Sequence, residues 1–150
     1  MPTIATPSLR NASREMGEQL LALAETWPWS SDGTRALLAA CAPDNGQEGA
    51  PVWHHSSIFG FLGALAGCDA ETTLAAFLLQ GSLGMIGAGV RAVPVGHTHG
   101  QQILAYLHDD LQQLTDRYAA APLETAGSSS SFYEVLCDEQ QKLYTRLFRS

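Results

Sequence analysis

An all-α fold is what this sequence predicts, on three observations. Apolar residues recur at three- and four-residue steps through several long segments. Between those segments lie short clusters of Pro, Gly, Asn, Asp and Ser, the residues that stop and start helices. No alternation of apolar and polar residues runs long enough for a strand, and no internal repeat is present. The expected architecture is a bundle of about five to six helices. A chain of 150 residues buries roughly two-thirds of its unfolded surface, so one domain spanning residues 1–150 is the default.

Pro7 suits the first turn of a helix after Thr6, and Leu9, Ala12, Met16, Leu20 and Leu23 supply its apolar face until Trp27 and Pro28 stop it. Ser31 or Asp32 caps a shorter helix through Leu37, Leu38 and Cys41, which Pro43-Asp44-Asn45-Gly46 ends. After a turn-rich loop to Pro51, the apolar stretch from Val52 to Gly67 reads as a third helix. Asp69 caps a long fourth from about Ala70 to Val93, broken by Pro94 and Gly96. Thr98 or His99 opens a fifth, with Ile103, Leu104, Leu107, Leu111, Leu114 and Tyr118 on its core-facing side. The stretch from Pro122 to Ser131 is a flexible connector, and Ser131 with Glu134 forms a capping-box signature for a last helix.

Thr73 to Val90 carries no charge, and its eighteen residues sit at the lower limit for a membrane span. Four glycines, Thr73, Gln80 and Ser82 weigh against that reading. A helix apolar all round is also what a bundle centre needs, and Gly84 and Ala88, four apart, let neighbouring backbones approach. Burial is therefore the expectation. The formal net charge is -7, with basic residues scattered, which excludes nucleic acid and anionic membrane surfaces as partners. Cys41, Cys68 and Cys137 are odd in number and form no Cys-x-x-Cys pair, the pattern of reduced thiols, with Cys68 and Cys137 expected to pack as small apolar groups. Met1 to Pro7 has neither a basic region nor an apolar core of the secretory kind, so a cytoplasmic location is expected.

Two histidine pairs are candidate metal ligands, His54-His55 and His97-Thr98-His99. Neither comes with the Glu of a His-Glu-x-x-His helix or with a cysteine set. Two readings stand side by side, local hydrogen bonding and transient metal contact. No Gly-x-Ser-x-Gly context activates a nucleophile, and the glycines from Gly81 to Gly100 follow no predicted strand. No catalytic residue is expected. The unusual feature is the end, where Tyr144, Leu147 and Phe148 stand among Arg146, Arg149 and Ser150. It either folds back on the bundle or anchors another protein, since aromatic residues and arginines dominate binding energy at interfaces.

Four segments together resemble the UreF family of urease accessory proteins, over a range from about Ser8 to Ser150. The closing Leu143-Tyr144-Thr145-Arg146-Leu147-Phe148-Arg149-Ser150 resembles that family's carboxyl terminus. Arg91-Ala92-Val93-Pro94-Val95-Gly96-His97-Thr98-His99-Gly100-Gln101 is similar to its Arg-x-x-Pro-Leu-Gly-Gln-Thr-x-Gly-Gln stretch. His54 through Phe59-Gly60 resembles its His-x-x-x-x-Phe-Gly, and Leu9-Arg10 through Ser13 to Met16-Gly17 resembles its Leu-Arg-x-x-Ser-x-x-Met-Gly. Nothing before Ser8 resembles the family's Ser-Pro-x-Leu-Pro-x-Gly-x-Phe start, so the amino-terminal part of the family fold is expected to be lacking. His97 stands where Gln is common, and Asp138-Glu139 where a His-Glu pair is common.

The resemblance implies a non-enzymatic scaffold that helps deliver nickel to urease. In that scheme residues 144–150 bind the accessory protein UreD, called UreH in some organisms, and the chain then recruits the GTPase UreG to the urease apoprotein. A homodimer is left open. No cofactor is expected to be stably bound, since nickel is handled by the complex and GTP is held by UreG. Arg91, Pro94, Gly96, Gly100 and Gln101 are the expected motif residues, with Arg91 held by a specific partner group because a buried arginine without one is very costly. The competing expectation is a small histidine-based metal-binding protein or metal-dependent enzyme built on His54, His55, His97 and His99.

Overall fold

The computed structural model describes residues 7–42, 51–122, 124 and 131–142. Among them lie six α-helices and no strand: α1 (Pro7–Ala24), α2 (Ser31–Ala40), α3 (His55–Leu65), α4 (Ala70–Ala92), α5 (His97–Tyr118) and α6 (Ser131–Gln141). The all-α expectation holds. The chain divides into two compact units, one of Met1–Gly67 with Ala126–Ser150 and the other of Cys68–Thr125.

In the first unit α1 packs on α3 and also touches α2 and α6. Leu21, Ala24, Ile58 and Leu62 form the buried core, with Leu20, Trp27, Leu37, Leu38, Trp53 and Phe61 packed around it. Burying a leucine or isoleucine side chain stabilises by about 1.5–3 kcal/mol. The inward stripe of α1 matches the expected one only in part, with Leu9, Ala12 and Leu20 half-buried. Met16 and Leu23 are largely exposed, while Gly17, Leu21 and Ala24 turn inward. The reason is a close approach. A Cβ on Gly17 would overlap the Trp53 carbonyl oxygen and lie 2.8 Å from the His54 carbonyl carbon, so only glycine lets the two chain segments meet.

Helix ends follow local chemistry, with shifts of one to three residues from the sequence reading. Ser30 precedes α2, but its hydroxyl donates to the Ala24 carbonyl at 2.7 Å instead of capping the helix, tying the α1–α2 turn together. Helix α3 begins only at His55, because His54 is still extended. It ends at Leu65, and Gly67 just beyond the Ala66 cap has a φ of 77°, the left-handed conformation that suits glycine after a helix. Helix α5 opens at His97 with Gly96 as its extended cap, earlier than Thr98 or His99. Helix α6 includes Ser131 as its first residue.

The second unit is the α4–α5 pair, with the two helices packed along each other. Asp69 caps α4 as expected, its carboxylate accepting from the Thr72 backbone N–H at 2.7 Å. Burial of α4 does not follow the expectation. By length and composition α4 can cross a membrane, at a mean hydropathy of 1.5, yet only 6% of its apolar window is buried. Ser82 alone is fully buried on it, and Leu79, Leu83 and Met85 are exposed. One packed neighbour covers one stripe of a helix that is apolar all round. On α5 the expected face is likewise half realised: Leu104, Leu107 and Leu111 are partly buried, whereas Ile103, Leu114 and Tyr118 are exposed. The buried Ser82 and Thr115 hydroxyls donate back to Leu78 and Leu111 carbonyls at 2.9 and 2.8 Å, which satisfies them within their own helices.

Two outcomes are expected. Gly17→Ala overpacks the α1–α3 contact, and such overpacking costs typically about 1–3 kcal/mol, against which alanine's helix preference returns up to ~1 kcal/mol. Chemical denaturation should show a net loss, and an unchanged midpoint would contradict the contact. The hydrogen bonds from the Thr72 backbone N–H and then its hydroxyl hold the Asp69 carboxyl below its ordinary value of 3.8. Its stabilisation is therefore present above that value and lost as pH falls through the lowered one. Thermal melts followed by circular dichroism should place Asp69→Ala below the parent at neutral pH, with the gap closing in strong acid.

Candidate functional site

The described motif residues sort into the two units, and Ser13, Gly17, His54 and Gly100 lie at close contacts between chain segments. In the first unit, Ser13 on α1 and His54 before α3 meet, with Oγ and Nδ1 3.2 Å apart. A hydroxyl can give or take that hydrogen bond, so either imidazole tautomer fits. The same crossing holds Gly17 against Trp53 and His54. Two segments that lie 41 positions apart in sequence are thereby joined through small groups and one imidazole. His55 turns to Phe59, with ring centroids 6.1 Å apart in an edge arrangement.

In the second unit, the segment from Arg91 to Gln101 forms the end of α4, the turn and the start of α5. Gly100 is buried, and a Cβ there would stand 2.9 Å from Ile86 Cγ2 and 3.4 Å from Val90 Cγ2. It is the close-approach point of this pair. Pro94 follows the α4 cap at Val93, and Gly96 supplies the cap of α5. An open cleft of about 220 Å³ lies here, walled by Leu83, Ile86 and Val90 and rimmed by Arg91, His97 and Gln101. Arg91 is exposed in the last turn of α4, where a cation complements the helix dipole. The expected burial of Arg91 is not observed. A second, wider depression of about 480 Å³ involves Leu79, Leu104, His108 and Leu111.

Among the described residues no group of three or more His, Cys, Asp or Glu side chains is arranged to hold a metal ion. His54 and His55 belong to the first unit and His97 and His99 to the second, and the last two are exposed. The cysteines are all free thiols. Cys68, expected to pack as a small apolar group, is instead exposed in the short link before α4, and Cys41 and Cys137 are partly buried. Residues Tyr144, Arg146, Leu147, Phe148, Arg149 and Ser150 lie outside the described residues. Immediately before them, Lys142 pairs with Asp138 at 3.2 Å and Glu139 at 2.7 Å, and these hydrogen bonds raise its pKa. Asp138 and Glu139 thus hold a lysine at the end of α6. On the same helix, burial and then the Cys137 thiol raise the Tyr133 phenol.

Sequence reasoning found Gly100 through its motif and missed what it does. Its contact role makes a test available. Gly100→Val adds bulk against the branched Ile86 and Val90, and overpacking of this kind costs about 1–3 kcal/mol. Thermal denaturation should show a lowered midpoint, whereas Gln101→Ala, on the exposed rim, should leave it nearly unchanged.

The UreF family model matches residues 3–108 of this chain, a range that ends before the tail. Urease accessory protein UreF of Granulibacter bethesdensis (strain ATCC BAA-1260 / CGDNIH1) is 36% identical over 96 residues, covering 64% of this chain and 41% of that protein. The protein of the same name from Rhodopseudomonas palustris (strain BisB5) is 35% identical over 122 residues, covering 81% and 47%. That of Sporosarcina pasteurii is 28% identical over 127 residues, covering 77% and 63%. The chain spans 41% to 63% of the length of these relatives. With a family match over more than half of the sequence, and with the motif residues Ser13, Gly17, His54 and Gly100 all at helix contacts, this chain belongs to the UreF family of urease accessory proteins.

Proposed function

We propose that this chain acts as a non-catalytic scaffold in urease maturation, in a complex with UreD (UreH), UreG and the urease apoprotein, for insertion of nickel into the urease active site. Membership of the UreF family is the observation that carries this reading. The tail supports it chemically. Tyr144, Leu147 and Phe148 offer apolar area, while Arg146 and Arg149 offer charge-assisted hydrogen bonds to UreD, with Ser150 closing the segment. The uncovered apolar residues of α4 and α5, Leu79, Leu83, Met85, Ile103 and Tyr106 among them, suit a protein that works in an assembly, a homodimer included.

In this reading nickel is cargo, GTP belongs to UreG, and the chain itself holds no cofactor and works in the cytoplasm. Arg91, Pro94, Gly96, Gly100 and Gln101 keep the α4–α5 turn in shape for its partners. The deciding experiment is co-purification with UreD from the same organism, beside a version ending at Thr145. The intact chain should bind and the shortened one should not, with circular dichroism showing equal helix content in both. Binding retained after removal of Arg146 to Ser150 would refute the tail's role.

The competing reading, a metal-binding protein built on His54, His55, His97 and His99, makes a different demand. It requires stoichiometric, micromolar-or-tighter nickel or zinc binding by the isolated chain. Calorimetric titration is expected to show none, because a metal site commonly needs three or four protein ligands converging on one point. Tight binding that disappears in the His97→Ala and His99→Ala variant would reverse the assignment.

A further inference from the structure

We draw no further inference here: the strongest candidate, the cleft between the carboxyl-terminal half of α4 and the first turn of α5 with Arg91, His97 and Gln101 at its rim, amounts to a helix N-terminus beside a cation, and no bound group or buried unpartnered side chain within it points to a ligand.

Discussion

Close approach at glycine is the constraint on which both helix pairs depend. Gly17 lets α1 reach the backbone of Trp53 and His54, and Gly100 lets α5 reach Ile86 and Val90 of α4. Dispersion is short-ranged, so a gap of even 0.5–1 Å forfeits roughly a quarter to a half of each contact's attraction. Close seating at these two points is therefore what allows neighbouring side chains to touch. In the first unit it brings Leu21 and Ala24 of α1 into one core with Ile58 and Leu62 of α3. It also sets Ser13 and His54 within hydrogen-bond reach.

That arrangement changes the meaning of the histidines. An imidazole in this position invites a ligand or catalytic reading, yet His54 shares its Nδ1 with the Ser13 hydroxyl across a helix contact. His55 similarly faces Phe59 of its own helix. The motif residues of the first unit thus carry architecture, and in the scaffold role we propose the surfaces for partners lie elsewhere. Exposed apolar side chains on α4 and α5 are one such surface. The aromatic and arginine-bearing tail is proposed as the other. A scaffold of the proposed kind needs such surfaces, because association draws on apolar area that the free chain leaves in water.

Helix α4 shows how composition and burial separate. Its charge-free run from Thr73 to Val90 is compatible with a buried core helix, a membrane span or an interface helix, since all three remove apolar surface from water. Only contact with neighbours distinguishes them. Within its unit it packs on α5 alone, leaving most of its circumference uncovered. Small polar residues inside the unit, Ser82 and Thr115, are tolerated because each hydroxyl is satisfied by a carbonyl one turn back.

By itself the sequence determined the helical class, the order of the helices, the Asp69 cap, the glycine- and proline-marked breaks and the family. These depend on interactions within a few residues or on composition, and such interactions are written in adjacent letters. Tertiary structure alone decided which stripe of each helix turns inward. The period of α1 pointed to Met16 and Leu23, but Gly17, Leu21 and Ala24 are the buried residues. On α5 it pointed to Ile103, Leu114 and Tyr118, whereas Gly100 and Thr115 are buried. Glycine, alanine and threonine carry little hydrophobic signal, and their value at a crossing is the space they leave. That space acquires meaning only when a second helix, distant in sequence, arrives to fill it.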